Sequence, residues 1–255
     1  MDPLPRPDVP PAVRGLDATV QDGSATGATK PRQALPVLVQ PALDAVGAAI
    51  GQRRFSIAGL LGEGTSGQVY RVVDRDLGRD VAIKVLDSAA SPTRVAGFLH
   101  EARVAARLEH PNILPIHDIG STEAGQLWFA MRRVDGQTLA AAIDDTAAGE
   151  PPPMMVDLNR RVTVMLQVCN AVRAAHAQSI VHRDIKPANI MLGGFGDVLL
   201  LDWGTASSAE PGSGQGRIGT PLYMSPEQAR GEEATCASDV YALGATLFHL
   251  VVLRP

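Results

Sequence analysis

The sequence predicts an α+β fold in two unequal parts: a small antiparallel sheet carrying one helix, then a larger, mainly helical part. Between residues 55 and 134, short runs of β-branched and aromatic residues alternate with turn residues, interrupted by one helical stretch. After Gly136 the apolar spacing becomes helical. No regular strand–helix alternation runs through the chain, which argues against a parallel βαβ sheet. With 255 residues, 45% of them hydrophobic, there is ample material for a core. The formal net charge of -4 gives no electrostatic case for nucleic acid or an anionic membrane as partner.

Residues 1–52 are rich in Pro, Gly and Ala and contain no aromatic residue. Such a segment is expected to be disordered, apart from a short helix at 43–50. Its most apolar run, 34–50, is broken by Pro36, Pro41 and Asp44, and no run in the chain suits a bilayer span. The acidic, proline-rich start does not read as a signal peptide. Two cysteines, Cys169 and Cys236, make neither a disulfide framework nor a zinc site. A reducing, cytoplasmic setting is expected, with Cys169 a small core filler in its helix.

Residues 57–61 read as a strand, Gly62-Glu63-Gly64-Thr65-Ser66-Gly67 as a turn, and 68–73, including Gln68 and Val69, as a second strand. Dinucleotide-binding folds use the same glycine spacing but need a helix next, whose N-terminus faces the pyrophosphate. A strand follows here, which disfavours a dinucleotide-dependent oxidoreductase. The loop is instead a glycine-rich β-turn whose amides can lie over phosphates because Cβ atoms are absent. The third strand, 80–86, contains Val81-Ala82-Ile83-Lys84. Alternation puts Ala82 and Lys84 on one face and Val81, Ile83 and Val85 on the other. Ala82 is small enough for a flat purine, and Lys84 can reach the α- and β-phosphates. A buried ammonium needs an acid. Glu101, beside Phe98 and Ala102 in the helix at 93–108, is better placed than Glu109 at the helix end or Glu123 in a turn. Strands at 113–119 and 127–134 complete the sheet.

In the larger part, a helix at 158–178 carries Val162, Met165, Leu166, Cys169, Val172 and His176 as its apolar stripe. Residues 180–189 then gather a carboxylate (Asp184), a cation (Lys186) and an amide oxygen (Asn189) around the stiff turn at Pro187. That set suits a reaction that accepts a hydroxyl proton, neutralises a phosphoryl group and holds a metal ion. A short strand at 197–201 ends at Asp202, a good metal-ligand position beside Gly204. Residues 207–219 read as a Gly/Ser-rich mobile loop. The helix at 238–253 is apolar nearly all round, the pattern of a helix buried on every side in its full setting, and is expected to keep one flank bare here.

His182-Arg183-Asp184 through Asn189 resembles the catalytic loop of protein kinases. The glycine-rich turn, Val81-Ala82-Ile83-Lys84, Asp202-Trp203-Gly204, the stretch from Gly219 to Glu227 and the stretch from Asp239 to Gly244 resemble other motifs of that family. They stand in the family's order, from Phe55 to the last residue. Trp203 stands where Phe is usual and Ser225 where Ala is commoner. The resemblance is to the eukaryotic-type serine/threonine kinases of bacteria. It implies a two-lobed protein-kinase-like fold, with the small lobe at 53–135 and the large lobe at 136–255. It also implies transfer of the ATP γ-phosphoryl group to Ser or Thr hydroxyls of protein substrates, this chain included, with ATP and Mg2+ as cofactors.

Carried onto these positions, the resemblance assigns ATP to Leu61, Gly62, Glu63, Gly64, Thr65, Ser66, Gly67, Gln68, Val69, Ala82, Lys84, Glu101, Met131 and Val134. Asp184 would accept the hydroxyl proton, Lys186 would steady the γ-phosphate, and Asn189 and Asp202 would hold Mg2+. In the activation segment Ser207, Ser208 and Ser213 are the expected phosphate acceptors, with Arg183 gripping the phosphate. Thr220 would brace Asp184 and Lys186, Asp239 would bond backbone near His182, and Glu227 would pair with an arginine beyond Pro255. Two departures stand out: Arg132 and Arg133 replace the usual acid and aromatic residue between the lobes, and the sequence stops just past the central helix. The expectation is a truncated large lobe, and the rival reading is a nucleotide-binding regulatory protein without turnover.

Overall fold

The computed structural model describes residues 54–64, 67–122, 125–208 and 219–254. Expectations for residues 1–52, the helix at 43–50, Thr65, Ser66 and Ser213 lie outside the described residues. In chain order the elements are β1 (Phe55–Gly64), β2 (Gly67–Asp74), β3 (Arg79–Val85), α1 (Pro92–Arg107), β4 (Ile116–Ser121) and β5 (Leu127–Arg132). There follow β6 (Gly136–Thr138), α2 (Leu139–Ala147), α3 (Leu158–Ala177), β7 (Ile180–Val181), a 3-10 turn (Pro187–Asn189), β8 (Ile190–Gly193) and β9 (Val198–Leu200). Last come β10 (Ser207–Ser208), α4 (Pro226–Arg230) and α5 (Cys236–Val252).

The first five strands form one antiparallel sheet in the order β1-β2-β3-β5-β4. The alternation expected of β3 is observed. Val81, Ile83 and Val85 pack with Phe55, Tyr70, Val72, Trp128 and Ala130 on one face. On the other, Phe98 and Ala102 of α1 pack against Leu86 and Phe129. Ser91 caps α1 through its side chain and Pro92 occupies the first turn, where a missing N–H costs nothing. The sheet carries one helix and is followed by a mainly helical lobe, which is the two-lobed arrangement.

The large-lobe core gathers α2, α3, β8, β9, Trp203 and the inner face of α5, with Val104, Ala105 and Leu108 of α1 joining it. Here two sequence expectations are corrected. On α3 the buried positions are Val164, Met165, Val168, Ala171, Val172 and Ala175. Val162 and Leu166 are exposed, and so is Cys169, which fills no core space. Small Ala171 and Ala175 on this face allow close approach to β7, β9 and α5. Helix α5 buries Ser238, Asp239, Ala242, Thr246 and Leu250, not its bulkiest residues. Val240, Tyr241, Leu247, Phe248, Val251 and Val252 face solvent, so one flank of the helix is bare. Its polar inner face follows from what Asp239 must reach.

Candidate active site

The catalytic-loop motif is held by α5. Asp239, 1% exposed, accepts the amide N–H groups of His182 and Arg183, each at 2.9 Å, and His176 Nε2 lies 2.7 Å from the same carboxylate. Two buried charge-assisted bonds fix a backbone that would otherwise resist: Arg183 has φ 73, the left-handed region that bulky residues avoid. Thr205 Oγ1 donates to His182 O at 2.9 Å and Gln228 Nε2 to Arg183 O at 2.8 Å, so the carbonyls are satisfied too.

So fixed, the loop presents Asp184. Lys186 Nζ donates to Asp184 Oδ2 at 2.7 Å and to Thr220 Oγ1 at 2.6 Å, while Thr220 Oγ1 donates to Asp184 Oδ1 at 2.8 Å. Asn189 Nδ2 donates to the Asp184 carbonyl at 2.8 Å, at the end of the turn that Pro187 begins. Across a cleft of about 500 Å³ lined by Phe98, Glu101, Asp184, Lys186, Asp202 and Gly204 stands the small-lobe pair. Lys84 Nζ lies 2.7 and 2.8 Å from the two oxygens of Glu101, with each side chain only 11% exposed. Burial pushes the Glu101 carboxyl above the usual range, Lys84 pulls it back, and the nearby Asp202 adds to the upward push.

Strand register explains how scattered residues meet. Gly62 pairs with Val69, Val69 with Lys84, and Ala82 with Met131, so the glycine-rich turn, the lysine and the start of the linker lie on adjacent strands. Leu61 is half exposed at the open edge and Glu63 is tied to Gln68 at 2.6 Å. Gly67 is obligatory on steric grounds: its φ is +133, and a Cβ there would stand 2.1 Å from the Val85 carbonyl oxygen. Gly62 has open space where a Cβ would be. Val134 lies past β5, near Gly193 of the large lobe. Asp202 has φ 61, with its carboxylate accepting from Gly204 N at 3.3 Å. Trp203 is 1% exposed, 4.6 Å from the His182 ring, and packs in the core that includes Val104 of α1.

The oxygen set suits a hard cation. Asn189 commits its nitrogen to Asp184 and retains its amide oxygen, and the Asp202 carboxylate lines the cleft. The linker arginines have found partners: Arg132 pairs with Asp197, and Arg133 with Asp135 and, at 3.1 Å, with Asp80. Arg183 is 6% exposed, its Nη2 has no hydrogen-bond partner among the described residues, and burial lowers its pKa.

Not every site candidate is brought together. Ser207 is 8% exposed, with its hydroxyl buried, and pairs with Val181 in the β10–β7 ladder. As folded it is a strand residue and not an accessible acceptor, a correction to its place among the phosphate acceptors. Glu227 lies outside the cleft and accepts from Ser238 Oγ at 2.6 Å, which lowers its pKa and gives it a partner within the chain. Three residues that position the loop escaped the sequence reading: His176, which had been placed only as a stripe residue, Thr205 and Gln228. Gln228 had a signal, since Ser225 three residues before it forms a capping box that starts α4. Thr205 had none.

The profile of the family described as protein kinase domain matches residues 55–255. The chain belongs to the protein kinase domain family. Its relatives include a protein named serine/threonine-protein kinase PknB of Mycobacterium leprae, 36% identical over 79% of this chain and 33% of the relative. A DNA damage-responsive serine/threonine-protein kinase RqkA of Deinococcus radiodurans is 37% identical over 79% of this chain and 30% of that protein. A probable serine/threonine-protein kinase of Corynebacterium efficiens is 34% identical, over 79% and 31% respectively. The chain thus spans about a third of the length of these relatives. The family uses ATP and Mg2+, and no helix among the described residues is long and apolar enough to cross a membrane.

Proposed function

We propose that this chain transfers the γ-phosphoryl group of ATP to Ser or Thr hydroxyls of protein substrates. The observation that carries the reading is Asp184, held by Lys186, Thr220 and Asn189 on one wall of a cleft whose other wall bears the Lys84–Glu101 pair. Lys84 binds the α- and β-phosphates, with Glu101 fixing its ammonium. Gly62 to Val69 lies over the phosphates, and Ala82, Met131 and Val134 border the adenine. Asn189 and Asp202 would hold Mg2+, which supplies positive charge against the phosphate oxygens. Asp184 orients the acceptor hydroxyl and takes its proton as the hydroxyl oxygen bonds to the γ-phosphorus and the bond to the ADP oxygen breaks. Lys186 steadies the γ-phosphate, and its contact with Thr220 ties this step to the segment that receives the substrate.

The acceptor class rests on Lys186 and Thr220 together, and on the serine/threonine kinase names of the relatives. The chain is also a candidate for its own substrate, with Ser208 and Ser213 as acceptors and the Arg183 guanidinium, whose Nη2 has no hydrogen-bond partner among the described residues, as the group that would meet the phosphate. Incubation with γ-labelled ATP, Mg2+ and a mixed Ser/Thr peptide set tests the reading. Label should enter peptide with the parent chain and not with Asp184→Asn. ATP binding without label transfer by the parent would favour a regulatory nucleotide-binding protein.

A further inference from the structure

The linker between the lobes carries charges that the chemistry proposed above leaves without a task. Strand β5 ends at Arg132, and Gly194 of the β8–β9 turn donates its amide N–H to the Asp135 carbonyl at 3.0 Å. Asp135 is thus already held by the large lobe, and only Arg133 and Val134 lie between the two attachments. So short a connection leaves few soft dihedrals, and the side chains that cross it decide how far it bends.

Two arginines cross it in opposite directions. From the last position of β5, Arg132 reaches the large lobe and pairs with Asp197, whose carbonyl accepts from Gly193 N at 2.8 Å and so closes the β8–β9 turn. From the linker, Arg133 reaches back to Asp80 of β3 at 3.1 Å and forward to Asp135. Asp80 Oδ2 also accepts from Arg71 of β2, at 2.7 and 3.0 Å. Arg71, Asp80, Arg133 and Asp135 therefore alternate in sign along one run of contacts. An isolated exposed pair contributes little, whereas several charges joined in a network are the exception. Neither tie is open to the residue types expected here: Asp197 would repel an acid at 132, and an aromatic at 133 offers Asp80 no charge.

We propose that Arg132 and Arg133 are positioning residues for the nucleotide: their crossed ion pairs set the angle between the lobes, and with it the slot that Ala82, Met131 and Val134 form around adenine. They act through the backbone they hold and do not touch the ligand. Ala82 pairs with Met131 one step along the register from Val81 with Arg132, so a shift at Arg132 moves the adenine border directly. This role rests on the adenine placement proposed above and is independent of phosphoryl transfer.

Adenosine is the probe, because it carries no charge and salt does not screen its own contacts. Its dissociation constant is measured by titration calorimetry on the full 255-residue chain. At low salt, Arg132→Asp and Asp197→Arg should each weaken binding about fivefold, and the charge-swapped double variant should restore it to within about twofold. A merely structural need for Arg132 would not be repaired by the swap. At about 1 M NaCl, where the Debye length is about 3 Å, the Asp197→Arg deficit should shrink, because the two side chains of that pair are 44% and 33% exposed. Arg133→Met should also weaken binding about fivefold, and its deficit should persist in salt, because the Arg133 side chain is only 15% exposed. If the swapped chain does not fold, Arg133→Met and Asp80→Asn decide: each should weaken binding, and the two together no further. Single variants that bind adenosine as the parent does, a folded swap no better than the singles, or a parent that binds no adenosine overturns the proposal. Binding that responds as expected, in a chain that transfers no phosphate, would uphold the linker role and defeat the phosphotransferase reading instead.

Discussion

At Asp184 both carboxylate oxygens already bear hydrogen bonds, from Lys186 and Thr220, so the proposed base is held in one orientation. Replacing it with Asn keeps the shape and removes the basicity. Transfer should fall by about 10²–10⁴-fold. The ATP dissociation constant, read by titration calorimetry, should stay near the parent value, because in the proposed reaction Asp184 faces the acceptor and not the nucleotide. Lys84 and Glu101 should behave as one unit. Lys84→Met and Glu101→Gln each break the same buried pair, so the double variant should lose little more than the worse single variant. A double-mutant cycle on kcat/KM would expose independent roles if the losses multiplied. These residues were legible in the sequence because strand alternation fixes which face Lys84 takes and helical position singles out Glu101. The linker arginines were not. Their partners Asp80 and Asp197 are far off in sequence, and only the folded chain decides which acids come near.

Among the elements, α3 and α5 show how hydrophobicity can indicate a helix without indicating its face. On α5 most of the larger apolar side chains point outward, because the inner face is set by the acceptor duty of Asp239, while on α3 Val162 and Leu166 point outward and Met165, Val168 and Val172 pack inward beside Ala171 and Ala175. Asp239→Ala should cost about 1–3 kcal/mol for each of the two amides left without an acceptor. The loss would be read as a drop in Tm that Ser or Thr at the same site does not repair. The β1 entry is pH-sensitive. The Arg54 guanidinium, chiefly by direct hydrogen bonding, holds the Asp74 carboxyl below its ordinary range. A lowered folded-state pKa means the unfolded chain binds more protons, so this stability is present above the ordinary carboxylate range and lost as pH falls through the lowered value. Arg54→Ala lets the Asp74 pKa rise, and acid unfolding followed by circular dichroism should then begin at higher pH than in the parent.

For the whole molecule, the apolar residues on the outside of α5 dominate solution behaviour. Val240, Tyr241, Phe248, Val251 and Val252 form an exposed run on one helix, with Leu222 exposed as well. Such patches drive association or bind partners. The 255-residue chain should therefore bind an apolar dye and elute above its monomer mass, and Val240→Thr/Phe248→Ser/Val251→Thr should shift it toward monomer without changing ATP affinity. A parent that stays monomeric and dye-free at micromolar concentration would contradict this. The order of the sheet strands and the helix could be read along the chain because each depends on local spacing. The exposure of α5 depends on what packs beside it, which no local pattern states. Its first turn nevertheless reaches the chemistry through Asp239, whose two oxygens close the amides of His182 and Arg183. Helix and loop thus share one opening equilibrium. The His182 and Arg183 amides should exchange with the free energy of the inner α5 amides, and heating should extinguish transfer when that helix opens, while the five-stranded sheet remains folded.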